Sequence, residues 1–171
     1  TTYPLAQVIQ KEYPEVEQSV RFVGTGRAMY QYGDQQYYET KIFYSDSNLF
    51  EIFSFPFLEG NPKTALAEPH SMVLTQTLAE KYFGKGKPAL GKSIKNNHGD
   101  VYRITGVMKD VPKNSSFRFN ALISASTLPK DFANNWGGFG FYTYVLLRPN
   151  TNARTFEKKL LPLYDKYLAP I

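Results

Sequence analysis

Cysteine is absent from the 171-residue chain, which excludes disulfides, thiolate catalysis, cysteine-ligated zinc and iron–sulfur clusters. Histidine is nearly absent: the only two, His70 and His98, stand beside a proline and a glycine, in turn contexts. Neither a G-x-S-x-G nor an H-E-x-x-H pattern occurs. Glu68 and His70 could share a metal ion, but two ligands do not make a site. We therefore predict no metal site and no cofactor, and the sequence contains no recognisable catalytic motif.

Long hydrophobic runs are also missing. No segment approaches the roughly 18–20 apolar residues that a membrane span requires, and the first residues do not resemble a secretory leader. Hydrophobic residues still make up 42% of the sequence, and 13 Tyr and 13 Phe raise the aromatic share to 16%. Because aromatic residues favour half-buried strands, we expect a water-soluble α+β fold rich in strand.

Positive charge is concentrated in one part of the chain. The net charge is +5, yet residues 80–118 contain nine basic and three acidic residues and account for +6. Such a cluster can attract nucleic acid, membrane headgroups or an acidic protein. No nucleic-acid-binding motif accompanies it, and most of the lysines fall on a helix face or in loops. We therefore predict no nucleic-acid partner and interpret the charge as solubilising.

The order of the predicted elements indicates a split domain. A helix and a strand open the chain, and a strand at 142–147 followed by a helix closes it, whereas the middle is mostly β. We predict an α+β lobe built from residues 1–26 plus 114–171. A β-rich lobe, residues 27–113, is then inserted between its two halves.

Residues 86–93 match the phosphate-loop pattern G-x-x-x-x-G-K-[ST], with Lys92 as its lysine. A phosphate loop needs a strand before it and a helix after it, so that the free amides of the helix point at the anion. Here a helix that starts at Thr75 or Thr77 comes first, and a polar run leads into a strand. The context therefore argues against nucleotide binding.

Residues 136–142 place aromatic side chains among glycines. Exposed aromatic faces in such a loop can stack on sugars or dock a protein partner. We predict Trp136, Phe139 and Phe141 as candidate partner contacts. The alternative is that these aromatic residues are buried where the loop enters a core strand.

Eight segments, taken in order, resemble the MacB-like periplasmic core domain. They begin with the phenylalanine-rich stretch Phe53 to Leu66 and include Asp110-Val111-Pro112-x-Asn114-Ser115. The segments are 53–66, 71–75, 79–84, 88–92, 102–107, 110–115, 118–120 and 144–147. The resemblance covers nearly the whole chain, and Gly91-Lys92 belongs to its pattern.

The resemblance implies the periplasmic domain of a MacB/FtsX-type ABC transporter permease of the inner membrane, of a kind common in Bacteroidetes. It implies a porter-like terminal lobe, no catalytic residue, and a relay of ATP-driven motion. The implied partners are the permease's own transmembrane helices, a cytoplasmic ATP-binding component, a periplasmic protein partner or cargo, and a second copy of the parent. The alternative is a freestanding secreted module that binds glycans or peptides through the aromatic loop and the basic face.

Overall fold

The computed structural model describes residues 1–169, apart from the side chain of Tyr164. Its fold is α+β, as the sequence predicts. The helices are α1 (Leu5–Glu12), α2 (Leu49–Ile52), α3 (Gln76–Phe83), α4 (Ala153–Lys159) and α5 (Leu161–Tyr167). The strands are β1 (Val16–Gly24), β2 (Ala28–Tyr32), β3 (Gln35–Glu39), β4 (Ile42–Ser45), β5 (Phe57–Gly60), β6 (Ser71–Thr75), β7 (Ser93–Asn96), β8 (Val101–Met108), β9 (Ala121–Ser124) and β10 (Tyr142–Leu147).

The chain divides into two compact units. Unit 1 contains Thr1–Phe22 and Pro129–Ile171, and unit 2 contains Val23–Leu128. Unit 2 extends beyond the predicted lobe of residues 27–113, because β9 pairs with β4 and β6. The hydroxyl of Ser124 also donates to the carbonyl of Leu66, at 2.8 Å. Residues 114–128 thus pack with the middle of the chain, and the last two residues of the predicted terminal lobe lie outside the described residues.

Unit 2 is built on a mixed sheet with strand order β4-β9-β6-β8-β7-β2-β3. Strand β8 pairs with three other strands of this sheet. Strand β6 runs parallel to one edge of β8, and the short strands β7 and β5 both pair antiparallel with its other edge. All five residues of β6 are buried, as is typical of a strand with neighbours on both edges and packing on both faces.

The core of unit 2 forms between this sheet and α3. Helix α3 begins as one of the two predicted caps requires: the Thr75 hydroxyl accepts a hydrogen bond from the Leu78 amide, at 3.4 Å. It ends at Gly84, whose φ of 93° a residue with a side chain would adopt only with strain. The buried face of α3 packs on β6 and β8 through Leu78, Ala79, Tyr82 and Phe83.

Unit 1 is smaller and its core is shallower. Strands β1 and β10 pair antiparallel, and α1 contacts β10. Its buried cluster consists of Ile9, Val16, Phe156 and Leu163, ringed by half-buried side chains. The two longest helices within residues 1–169, α1 and α3, have eight residues each, too few to cross a bilayer.

Candidate functional site

The phosphate-loop pattern does not form an anion site. Helix α3 precedes it and strand β7 follows it, as the sequence analysis predicts. The Glu59 carboxylate accepts hydrogen bonds from the backbone amides of Ala89 and Leu90, at 3.2 and 3.1 Å. The ammonium of Lys92 lies 4.7 Å from the centre of the Phe83 ring. Two backbone amides of the loop are thus already hydrogen-bonded to an internal carboxylate. Lys92 makes a cation–π contact with an aromatic ring and does not point into a phosphate site.

The titratable groups of the described residues do not assemble a metal centre. Within residues 1–169, no three His, Asp or Glu side chains come close enough to hold a metal ion, so Glu68 and His70 gain no third ligand. The strongly perturbed groups are phenols in the core of unit 2. Burial raises the pKa of Tyr30 to about 12 and also raises the pKa values of Tyr82 and Tyr102. These shifts reflect packing.

The aromatic loop of unit 1 separates its three predicted contact residues. Trp136 is half-buried and stacks on Tyr167 of α5, with ring centres 4.5 Å apart and an angle of 9° between the planes. Phe141 is only 4% exposed and packs edge-to-face on Tyr3, at 5.4 Å. Phe139, by contrast, is 69% exposed.

Of the three residues, therefore, only Phe139 presents most of its ring to solvent. Phe141 is buried, which is the alternative described in the sequence analysis, because its ring packs against Tyr3 and Phe132. For Trp136, one face of the indole is covered by Tyr167. The assignment of these residues as partner contacts stays a prediction, and Phe139 is its most accessible member.

A second surface, in unit 2, was not predicted from the sequence. Two adjoining cavities of about 400 and 450 Å³ meet at Asp110, Pro112 and Phe117, and we call them together the basic groove. Both are open to solvent. The groove is lined by residues 53–56, 109–115 and 117–120, together with Lys41, Thr75 and Thr77.

Phenylalanine rings form the floor of the basic groove. Phe117 lies at their centre, with ring centres 4.8 Å from Phe53, 5.7 Å from Phe55 and 6.0 Å from Phe119. All three pairs are edge-to-face, the arrangement that aromatic quadrupoles favour. The alternation of Phe117, Phe119, Ala121 and Ile123 in the sequence predicts a strand from Phe117 to Ser124. Strand pairing begins only at Ala121, which leaves both phenylalanines in the approach to β9.

Asp110 fixes one wall of the groove to α3. Its carboxylate accepts hydrogen bonds from the amide and the hydroxyl of Thr77, at 3.0 and 2.6 Å. A carboxylate beside the N-terminal end of a helix is also favoured by the helix dipole. The negative charge of Asp110 is therefore already engaged within unit 2.

Basic side chains form the rim of the groove. Lys41, Lys109, Lys113 and Arg118 are all exposed, and Asp110 is the one acidic residue among the described lining residues. Part of the basic stretch at 80–118 thus converges here. The sequence gives no direct signal for this, because Lys41 joins the groove only through the pairing of β4 with β9.

Comparison with known proteins identifies the architecture. The model of the MacB-like periplasmic core domain matches residues 1–163. A domain of a putative permease protein from Porphyromonas gingivalis is 25% identical and has a TM-score of 0.82, over 97% of this chain and 77% of that one. A search of curated proteins found no significant match.

Two further structures share the fold at lower identity. The periplasmic region of MacB from Actinobacillus actinomycetemcomitans has a TM-score of 0.71 and 17% identity, over 94% of this chain and 71% of that one. The extracellular domain of the noncanonic ABC-type transporter YknZ from Gram-positive bacteria has a TM-score of 0.67 and 16% identity, over 97% and 83%. The resemblance drawn from the sequence segments is thereby confirmed.

Proposed function

Because this chain belongs to the family of MacB-like periplasmic core domains, the periplasmic domains of ABC transporter permeases, we propose that it relays ATP-driven conformational change to a periplasmic partner or cargo. The observation that supports this role is the insertion of unit 2 into unit 1. The chain passes between the units twice, at residues 22–23 and 128–129, and both passages lead into unit 1. Motion applied to either end of the chain thus reaches unit 2 through unit 1.

The packing of each unit suits this role. Unit 2 has a continuous buried core that extends through β6, β8 and α3, so it can be displaced as one body. A relay of this kind needs such a body together with an element that has more than one arrangement. Unit 1 has the smaller core and is the better candidate for the second element.

In the proposed setting, the domain stands on the periplasmic side of the inner membrane, connected to the permease's transmembrane helices. A separate cytoplasmic component binds and hydrolyses ATP, and two copies of the parent form a dimer. The domain itself performs no chemical step. The family match over residues 1–163 favours this role over the alternative of a freestanding secreted module that binds glycans or peptides.

The relay can be tested in the full-length permease assembled with its ATP-binding component. The described domain has no cysteine, so Lys63→Cys at an exposed site of unit 2 introduces one spin-label position per domain. We expect pulsed dipolar spectroscopy to detect coupling between two copies and a change in their distance distribution after trapping with ATP and vanadate. An unchanged distribution would contradict the relay, and absence of dipolar coupling would contradict the dimer.

A further inference from the structure

We propose that the basic groove of unit 2 binds an extended acidic peptide segment that also carries apolar side chains. The inference rests on the proposed function in one respect only, namely that the segment belongs to a periplasmic protein partner or cargo. All the residues that line the groove lie between positions 41 and 120, so peptide binding can be measured without the transporter.

Charge argues for an acidic occupant. Four cations, Lys41, Lys109, Lys113 and Arg118, face one carboxylate, Asp110, which already accepts two hydrogen bonds from Thr77. The side chains of Lys41 and Lys113 have no hydrogen bond or ion pair to any described residue. Their charges are therefore available to an incoming carboxylate, and such rim charges favour encounter and orientation.

The floor of the groove argues for apolar side chains between the acidic ones. Phe53, Phe55 and Phe117 line it together with Pro56 and Pro112. Since the rings contact one another edge-to-face, neighbouring phenylalanines cover parts of their faces. Stacking on a nucleobase or a sugar requires an open flat face, whereas aliphatic or aromatic side chains can insert between rings.

The shape argues for a peptide in extended form. Each cavity lies in the volume range of ligand sites, but both are open and adjoin, so they form an elongated surface and not an enclosed chamber. Backbone hydrogen bonds hold the lining of each cavity in place. In the first cavity the Asn120 amide donates to the Lys41 carbonyl at 2.7 Å, and in the second the Lys109 amide donates to the Pro56 carbonyl at 2.8 Å. A surface ordered in advance loses less entropy when a flexible peptide binds.

Fluorescence anisotropy on the 171-residue domain tests the proposal. The probe is a fluorescein-labelled peptide of about eight residues in which Glu alternates with Leu and Phe; the reference peptide carries Lys in place of Glu. We expect the acidic peptide to bind and the basic one not to bind. Lys41→Glu and Lys113→Glu should each weaken binding by about 5-fold, and the double variant by at least about 20-fold, with the effect reduced at high salt.

Lys85→Glu is the matched control, because Lys85 is exposed, lies outside the groove and undergoes the same change of charge. It should leave binding within about 2-fold of the unaltered domain. The double variant should instead gain affinity for the basic peptide. The melting temperature of each variant verifies that it is folded. Phe117→Leu keeps the floor of the groove apolar, so it tests the loss of one aromatic ring in a domain that still folds.

Three outcomes would overturn the proposal. They are no binding of the acidic peptide, equal weakening by Lys85→Glu and Lys113→Glu, and binding to phosphatidylglycerol vesicles without binding to the peptide. The last outcome would assign the groove to a lipid surface. If the peptide binds but the spin-label distance in the permease does not respond to ATP, the peptide site is supported and the relay is contradicted. If the distance responds to ATP but the peptide does not bind, the relay is supported and the peptide site is contradicted.

Discussion

Units 1 and 2 of this domain are stabilised in different ways. In unit 2, strands β6 and β9 are buried at every residue, and α3 closes one side of the sheet. In unit 1, β10 has one exposed and five half-buried residues. Its helices are also attached by polar contacts at the surface, among them ion pairs from Lys166 to Glu12 and from Lys159 to Glu15. The proposed relay assigns the moving body to unit 2 and the adjustable element to unit 1.

The largest expected effect compares the same substitution in the two units. Leu74→Ala in β6 removes a fully buried side chain, and we expect it to lower the free energy of unfolding by about 3 kcal/mol through lost burial and a residual cavity. Leu147→Ala in β10 removes a half-buried side chain and should cost about 1 kcal/mol. Urea denaturation measures both, and equal losses would remove the contrast between the units.

The second prediction concerns how closely β5 approaches β8 within unit 2. Gly60 has φ = 86°, and a Cβ there would lie 2.4 Å from the carbonyl oxygen of Thr105. Gly60→Ala should therefore cost about 2–3 kcal/mol, from the left-handed backbone and the steric overlap together.

Gly26→Ala separates these two causes. Gly26 has φ = 74°, but no heavy atom lies within 4 Å of its Cβ position. This variant should therefore lose about 1 kcal/mol from backbone strain alone. If thermal unfolding gives the same loss for both variants, β5 is not held tightly against β8.

The smallest effect is expected in unit 1 and depends on pH. The hydrogen bond from Lys166 lowers the pKa of Glu12 below its ordinary value of 4.5, and Tyr167 adds to this. Because the pKa is lowered in the folded state, the stabilisation is present above pH 4.5 and is lost as pH falls through the folded-state value. Acid should therefore loosen α5.

Trp136, the single tryptophan, reports this loosening because it stacks on Tyr167. We expect acrylamide quenching of its fluorescence to rise in acid, and Glu12→Gln to raise it already at neutral pH. Glu17→Gln is the control, since Glu17 is exposed and forms no ion pair within the described residues. Equal quenching in both variants would show that Glu12 does not hold α5.

The sequence predicts local features well because their causes are local. The α+β class, the Thr75 cap of α3 and the rejection of the phosphate loop all depend on residues near one another in the chain. The partners of β9 could not be predicted in this way, because β4 and β6 precede it by tens of residues. For the same reason the predicted lobe boundary at residues 113–114 differs from the division at residues 128–129.

The candidate sites show the same limit. Burial of Phe141 depends on Tyr3, at the opposite end of the chain. The basic groove combines Lys41, Phe53 and Phe117, which come together only when the sheet of unit 2 forms. The composition shows an excess of basic residues. Only the strand order of unit 2 shows that several of them line one groove.

The most direct test is hydrogen exchange of the intact domain under mildly denaturing conditions, measured by mass spectrometry. It shows whether unit 2 opens as one cooperative body and whether unit 1 opens at a lower free energy. We predict that amides of β6, β8 and β9 exchange only through global unfolding, whereas α5 and β10 exchange through openings of lower free energy. If α5 proves as protected as β6, or if unit 2 opens in separate parts, the two units do not differ in cooperativity in this way.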